Sequence, residues 1–512
     1  MIIIIIRDIN ARVINPTNND YNKSFRILIM KKFSKISVFC FFTLILISNT
    51  DLAMAADNYR NFPVTVKGWM GTQNNSVAYT GQIARHTLHD SLKKLAGKGN
   101  GKPNSKLKAE MMSYYAKKDA GRAIIAPKGK AHFPTKQTGV DQISKGENLS
   151  GKTYKGAISG MPNQMTGPDL IKFWIDKASK ANKGQDKLNG YDYPQLISKF
   201  IMGAVFYNQA VDNYLDEKLG ANNKPNSKPY KKGAYYTGKE HSWDEAWGYF
   251  GAPAHVMSLT PKQVYEIAKM GSKSKPKSKA LAHADFNKDG VVDLYKEMTY
   301  APAYYASGSD SKAYDSNGSK TKYLHTISKA FIDGRKIITS AKGENLSDSQ
   351  RAKLRDLART IGSNWEKTLA EAVFKYAGSV YGDLKKLQVL LDNKGQTDKV
   401  LKNYIKHWGE LKGFSLSLQT GKNNLGETAI KLNKLIGAGP VMLNSSQVTD
   451  IDSQGNYVKS QSSGLSNYMV HMLKVQKLMV DKMGVKARAK DNLASMGSMI
   501  KSLGSGAAAE ND

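Results

Sequence analysis

The chain has 512 residues and a formal net charge of +33, carried by 65 lysines against only 11 arginines scattered along its length. Nucleic-acid readers lean on arginine, whose planar fork matches phosphate and base edges, and no aromatic-basic stripe stands out. The charge therefore reads as a solvated lysine-rich surface, open to loose attraction to anionic lipid or envelope polymer but not to specific nucleic-acid binding. The only cysteine, Cys40, falls in a segment that reads as a cleaved leader, so the mature chain has no disulfide, thiolate metal site or cysteine nucleophile.

Residues 1–29 are rich in Ile and Asn and do not read as a folded start, which makes Met30 the expected start codon. Lys31, Lys32 and Lys35 precede an apolar run over 36–47, followed by Ala53-Met54-Ala55. That is a secretory signal over 30–55 with an Ala-x-Ala site, cleaved between Ala55 and Ala56. The run is short for a permanent bilayer span. Cys40 lies in its middle rather than after a small-residue lipobox, which argues against a lipoprotein. The expected location is periplasmic or secreted. Residues 1–55 carry a net +4, leaving +29 on the mature chain.

The Tyr79-Thr-Gly-Gln-Ile-Ala-Arg85 stretch predicts a helix start, with Thr80 or Gly81 as cap. His86, His89 and Asp90 follow on one face. Flanked by Arg85, Lys93 and Lys94, they are expected at the surface. Helices are predicted over 105–118 and 166–180, the second with Pro168 in its first turn, and residues 119–167 read as loop. Phe200, Ala204, Tyr207, Val211 and Tyr214 keep a 4-3-4-3 spacing, one stripe of an amphipathic helix. After a polar connector over 219–238 comes a helix bearing His241, which Gly251-Ala-Pro253 should stop. A short helix over 260–270 has Thr260 as cap, and a Lys/Ser/Pro linker fills 271–280.

Asp285-Phe-Asn-Lys-Asp-Gly-Val-Val-Asp293 has oxygen side chains at loop positions 1, 3, 5 and 9 and Gly at 6, the pattern of a calcium loop. Position 12 is Lys296, and Glu297 stands one place late. The expected Ca2+ ligands are Asp285, Asn287, Asp289, the Val291 carbonyl, Asp293 and Glu297, with an ion-free Asp-Gly turn as the alternative. Further helices are predicted over 325–342, 347–391 with a break at Gly362, 398–418, part of 421–448, and 463–485. Residues 450–462 read as polar loop and 504–512 as a disordered tail. Strand signals are few, so the fold class is all-α.

The chain also echoes itself. Trp243, Glu245, Gly248 and Tyr249 match Trp408, Glu410, Gly413 and Phe414. Each set lies about 35 residues after an Ala-Val-Phe triplet, at 204–206 and 372–374. The later helix repeats the stripe with Trp365, Leu369, Ala372 and Tyr376. This divides the chain into a first helical half (56–280), the calcium-like loop (281–300) and a second helical half (301–503), a pair of pseudo-repeated bundles. On a helix His241 shares a face with Asp244 and Glu245, and His407 with Glu410. Imidazole and carboxylate on one face is how bundles present inward metal ligands. The same residues serve equally as hydrogen-bonded core polar groups.

The segments Tyr79–Arg85, 193–208 with Met202-Gly-Ala-Val-Phe-Tyr207, 240–251 and 407–414 resemble a family of secreted bacterial proteins of unknown function, a distant relative of imelysin. The resemblance implies two helical bundles, a Gly-x-His-x-x-Glu motif, candidate metallopeptidase activity and a link to periplasmic iron. His407 and Glu410 match His-x-x-Glu, but Ile405 stands where the motif has Gly. Ser242 occupies the place of His407 in the first copy. No His-Glu-x-x-His occurs, and zinc hydrolysis needs about three protein ligands. The expectation is thus a periplasmic binding protein holding iron, zinc or a small ligand through His241, Asp244, Glu245, His407 and Glu410. The alternatives are a metallopeptidase and a binding module for envelope polymer.

Overall fold

The computed structural model describes residues 58–272, 278–311, 321–421 and 425–503. The expected start segment (1–29), signal (30–55), Ala55–Ala56 cleavage site and 504–512 tail lie outside the described residues. Helix makes up 57% and strand 7%, so the all-α expectation stands. No helix among the described residues is long and apolar enough to cross a membrane.

In chain order the helices are α1 (Thr80–Ala96), α2 (Ser105–Tyr115), α3 (Gly167–Lys180), α4 (Tyr193–Ile201), α5 (Gly238–Phe250), α6 (Pro261–Ala268), α7 (Ser278–Ala284), α8 (Ala301–Asp310), α9 (Tyr323–Ser340), α10 (Asp348–Asp392), α11 (Asp398–Ser417), α12 (Gly426–Ile436), α13 (Leu465–Met483) and α14 (Met496–Leu503). Two antiparallel hairpins complete the set. Strand β1 (Gln185–Asp186) pairs with β2 (Tyr191–Asp192), and β3 (Ser446–Ile451) pairs with β4 (Tyr457–Gln461).

Local chemistry sets the boundaries. Thr237 with Glu240, Thr260 with Gln263 and Ser347 with Gln350 form capping boxes at the starts of α5, α6 and α10, each satisfying orphan N–H groups. Thr166 caps α3, with Pro168 in its first turn as expected. Gly251, at φ +67°, ends α5 in the left-handed conformation that glycine adopts without strain. The cap of α1 is Tyr79, with no side-chain hydrogen bond, rather than Thr80 or Gly81. The Tyr79 ring is instead buried in the core.

The aromatic stripe of α4 continues through two stretches of wide π-turns, Met202–Tyr207 and Gln209–Tyr214. All five stripe residues are buried. At Gly203 a Cβ would fall 2.5 Å from Ser417 Cβ of α11, so the two backbones touch where the helix widens. There the Ala204 carbonyl accepts the Tyr154 N–H at 2.6 Å.

Two expectations need correcting. Helix α10 runs 45 residues without a break at Gly362. Interior glycine costs roughly 1 kcal/mol, and the packing of α10 against α9, α11 and α13 outweighs that. Residues 450–462 are not simply polar loop but hold most of the β3–β4 hairpin. Only Val448 and Ile451 of β3 are buried, too few inward apolar residues for alternation to show. Helix α11 of the second half lies against α4 of the first, and α9 against α5.

Candidate functional site

Helix α5 carries His241 and Glu245 one turn apart, with Nε2 and Oε2 3.8 Å from each other. Glu245 Oε1 accepts hydrogen bonds from Gln82 Nε2 at 2.9 Å and from the Tyr214 hydroxyl at 3.1 Å. The His241 ring packs between Tyr230 and Tyr236, with centroids 4.3 and 4.4 Å away. Burial pushes its pKa down, against the pull of Glu245. Asp244 belongs to a different cluster. Its Oδ1 accepts from Tyr59 OH at 2.8 Å and Arg335 Nε at 3.0 Å, and Oδ2 from the Ala78 N–H at 3.0 Å. Arg335, with no exposed surface, also donates to Glu240 at 3.0 Å. Burial lifts the Asp244 carboxyl to about 6, with Arg335 pulling the other way. Asp244 thus anchors α5 to α9.

The second copy is arranged differently around its histidine. His407 Nδ1 pairs with Asp383 Oδ2 of α10 at 2.6 Å. Glu410 accepts from the Tyr376 hydroxyl at 3.1 Å, and the Lys199 ammonium lies 3.9 Å from the same oxygen. The carboxylates nonetheless match. Tyr214 and Tyr376, the last members of the two stripes, each hydrogen bond the glutamate of the helix that follows. Gly248 and Gly413 each permit a close crossing: a Cβ would fall 2.8 Å from Gln82 Cβ at the first and 2.6 Å from Lys199 Cβ at the second. Gln82 and Lys199 are thus the polar groups brought to Glu245 and Glu410. Among the described residues no three His, Cys, Asp or Glu side chains are placed to hold one metal ion.

The loop at 285–297 closes on itself. Asp285 accepts from the N–H groups of Asp289 (3.1 Å) and Gly290 (2.9 Å), and Asp289 from that of Val291 (3.1 Å) and from Asn287 Nδ2 (2.8 Å). Asp293 accepts from Gln137 and from the Tyr295 N–H. Glu297 is buried and reaches back to the N–H groups of Phe286 (3.1 Å), Asn287 (3.4 Å) and Asp293 (2.9 Å). It is therefore Glu297, not Lys296, that draws the two ends of the loop together.

A cavity of about 780 Å³ opens between α1, α4, the 125–130 loop and the start of α8. The sequence reading missed it, because it expected His86, His89 and Asp90 at the surface. The structure buries both histidines, since α1 is covered by α2, α4 and α5. His86 stacks on Tyr300 and bonds the Gly248 carbonyl at 3.1 Å. Burial pushes its pKa down to about 3. His89 contacts the Ser198 hydroxyl and carbonyl at 3.0 Å and pairs with Asp90 at 3.0 Å. Asp90, Lys93, Lys199 and Lys269 all line the cavity. Lys199 is only 3% exposed. Burial first, then the neighbouring Lys93, drives its pKa well down, while Glu410 opposes them. One sequence signal pointed here: Lys199 is the only charged residue between Asp192 and Asp212, set among apolar residues.

The family model described as "Domain of unknown function (DUF4856)" matches residues 177–275. That segment runs from the end of α3 through α4, with both its π-turn stretches, and α5 to just beyond α6. It includes Lys199, Tyr214, His241 and Glu245. The comparisons with curated proteins and with solved structures gave no match.

Proposed function

We propose that the mature chain is a periplasmic or secreted binding protein without catalysis, built from two imelysin-like helical halves, and that its ligand is a small molecule held in the cavity beside α4. The observation that carries this reading is the cavity itself: about 780 Å³, open to solvent, floored by aromatic and Met side chains, with a buried lysine in its wall. Ligand sites are characteristically concave, largely apolar and supplied with a few placed polar groups. The matching Tyr–Glu hydrogen bonds at Glu245 and Glu410 support descent of the two halves from one unit.

Iron or zinc at His241, Glu245, His407 and Glu410 is less well served. Each helix offers one imidazole and one carboxylate. His407 is engaged by Asp383, Glu410 faces Lys199, and Asp244 is bound to Arg335. Zinc hydrolysis needs about three protein ligands and an open position, so a binding role fits the donor set better than a peptidase. The test is native mass spectrometry of the mature protein purified without an affinity tag, alongside metal analysis. A co-purifying small molecule near one per chain supports the reading. Iron or zinc at one per chain that vanishes in His407→Ala overturns it in favour of the helix sites.

A second site is proposed at the 285–297 loop, for Ca2+ as a structural ion rather than a signal. Glu297 favours it, because a carboxylate already spans the loop from one place beyond the usual closing position. Asp285, Asn287, Asp289 and the Val291 carbonyl would supply further oxygens. The loop is closed by its own N–H groups, so affinity should be micromolar or weaker.

A further inference from the structure

We propose that the cavity is specific for an anion on a flat apolar body, with the acidic group held between Lys93 and Lys199 and the body laid over Tyr304 and Tyr305; this rests on the reading of the cavity as the ligand site. Six lysines border the space, Lys93, Lys94, Lys128, Lys130, Lys199 and Lys269, against the single carboxylate Asp90. Asp90 is paired with His89. Among the described residues, only Lys199 of the six has a carboxylate within 4 Å, and that contact, 3.9 Å to Glu410, is longer than a hydrogen bond. Lys199 alone of the six is buried, and burial together with the neighbouring Lys93 disfavours its charged form, so a bound anion would return the free energy of charging it.

Aromatic rings stand beside these lysines in the lining. Lys199 Nζ lies 5.4 Å from the Tyr305 ring centroid, and Lys269 Nζ 4.6 Å from that of Tyr304. The cations therefore stand next to aromatic faces, and an acidic group bonded to them would place its attached body on those faces. Thr299 adds an independent pointer. It lines the cavity, is 2% exposed, and its Oγ1 is buried with no hydrogen-bond partner. Buried hydroxyls are normally satisfied. A ligand oxygen would satisfy this one.

Two dyes with nearly the same body separate charge from shape: anionic anilinonaphthalene sulfonate and neutral phenylnaphthylamine. Each is titrated by fluorescence into the full mature chain, into Lys93→Met and Lys199→Met, and into Lys402→Met as an exposed control. Circular dichroism confirms that each variant folds. Losing one charge-assisted contact should weaken the sulfonate on the order of tenfold in either cavity variant, with the neutral dye changed less than about twofold. Lys402→Met should alter neither dye, and inorganic phosphate should displace the sulfonate alone. A sulfonate affinity indifferent to Lys93 and Lys199 would mean general surface attraction and overturns the proposal. Equal weakening of both dyes also overturns it, while leaving a ligand-binding cavity in place. Binding of neither dye removes both readings. If Lys199→Met does not fold, Lys93→Met alone decides.

Discussion

Arg335 lies buried among Glu240, Asp244, Ser76 and Thr339, with a donor for each. A buried ion pair contributes little net stability compared with an apolar replacement, but removing one partner strands the others. Arg335→Met should therefore cost about 3–5 kcal/mol in urea unfolding, and adding Glu240→Gln and Asp244→Asn should recover part of it. Lys412 is a different case. Its ammonium is fully buried and donates to the Gly160 and Gly437 carbonyls at 2.6 Å each, and burial lowers its pKa from 10.5 to about 7. The folded value lies below the unfolded one, so between those pH values the unfolded chain binds more protons. Stability should climb from pH 7 towards 10.5, and the climb should be shallower in Lys412→Met, measured by denaturant unfolding across that range. At this scale the sequence reading found residues but not their partners. His241, Asp244 and Glu245 stood out by helical spacing. What assigns Asp244 to a separate cluster is an arginine 91 positions later, which no local spacing can reveal.

The helices are placed by close crossings at glycines. At Gly413 an added Cβ would sit 2.6 Å from Lys199 Cβ and 3.2 Å from the Leu196 carbonyl, so α11 would have to shift away from α4. Gly413→Ala should lower stability by about 1–3 kcal/mol. It should also weaken binding of the anionic dye, because Lys199 is the residue displaced. Gly362→Ala is the contrast. It sits inside α10, with its nearest non-helix neighbour at 3.7 Å, and should stabilise the protein by roughly 0.5–1 kcal/mol in thermal or urea unfolding. In the calcium-like loop, millimolar Ca2+ should raise the melting temperature of the natural protein but not of Asp289→Ala. No rise in either would show that Glu297 and the loop's own N–H groups suffice. Some caps and the stripes were readable in the sequence because they are local: Thr260 and Gly251 each act within a turn of where they stand. The unbroken α10 was not, since the packing that carries Gly362 comes from helices distant in the chain.

For the molecule as a whole, helical periodicity and the scarcity of strand signals pointed to the helical class, and the repeated Trp-x-Glu-x-x-Gly-aromatic pattern located the two helices that cross at glycine. The cavity escaped notice because its wall is assembled from α1, α4, α8 and loops far apart in sequence, and because charged neighbours made α1 look exposed. The Arg335 cluster also imposes a schedule. Its tie to Ser76 spans 259 residues, and a ribosome adds roughly 5–20 residues each second. The stretch around Ser76 therefore waits on the order of tens of seconds before its partner exists. During that interval Tyr59, Phe62, Val77 and Tyr79, all buried in the finished fold, have no complete core to enter. Synthesis thus presents the segment around Ser76 first, and its tie to the rest of the fold can close only once Arg335 has been made.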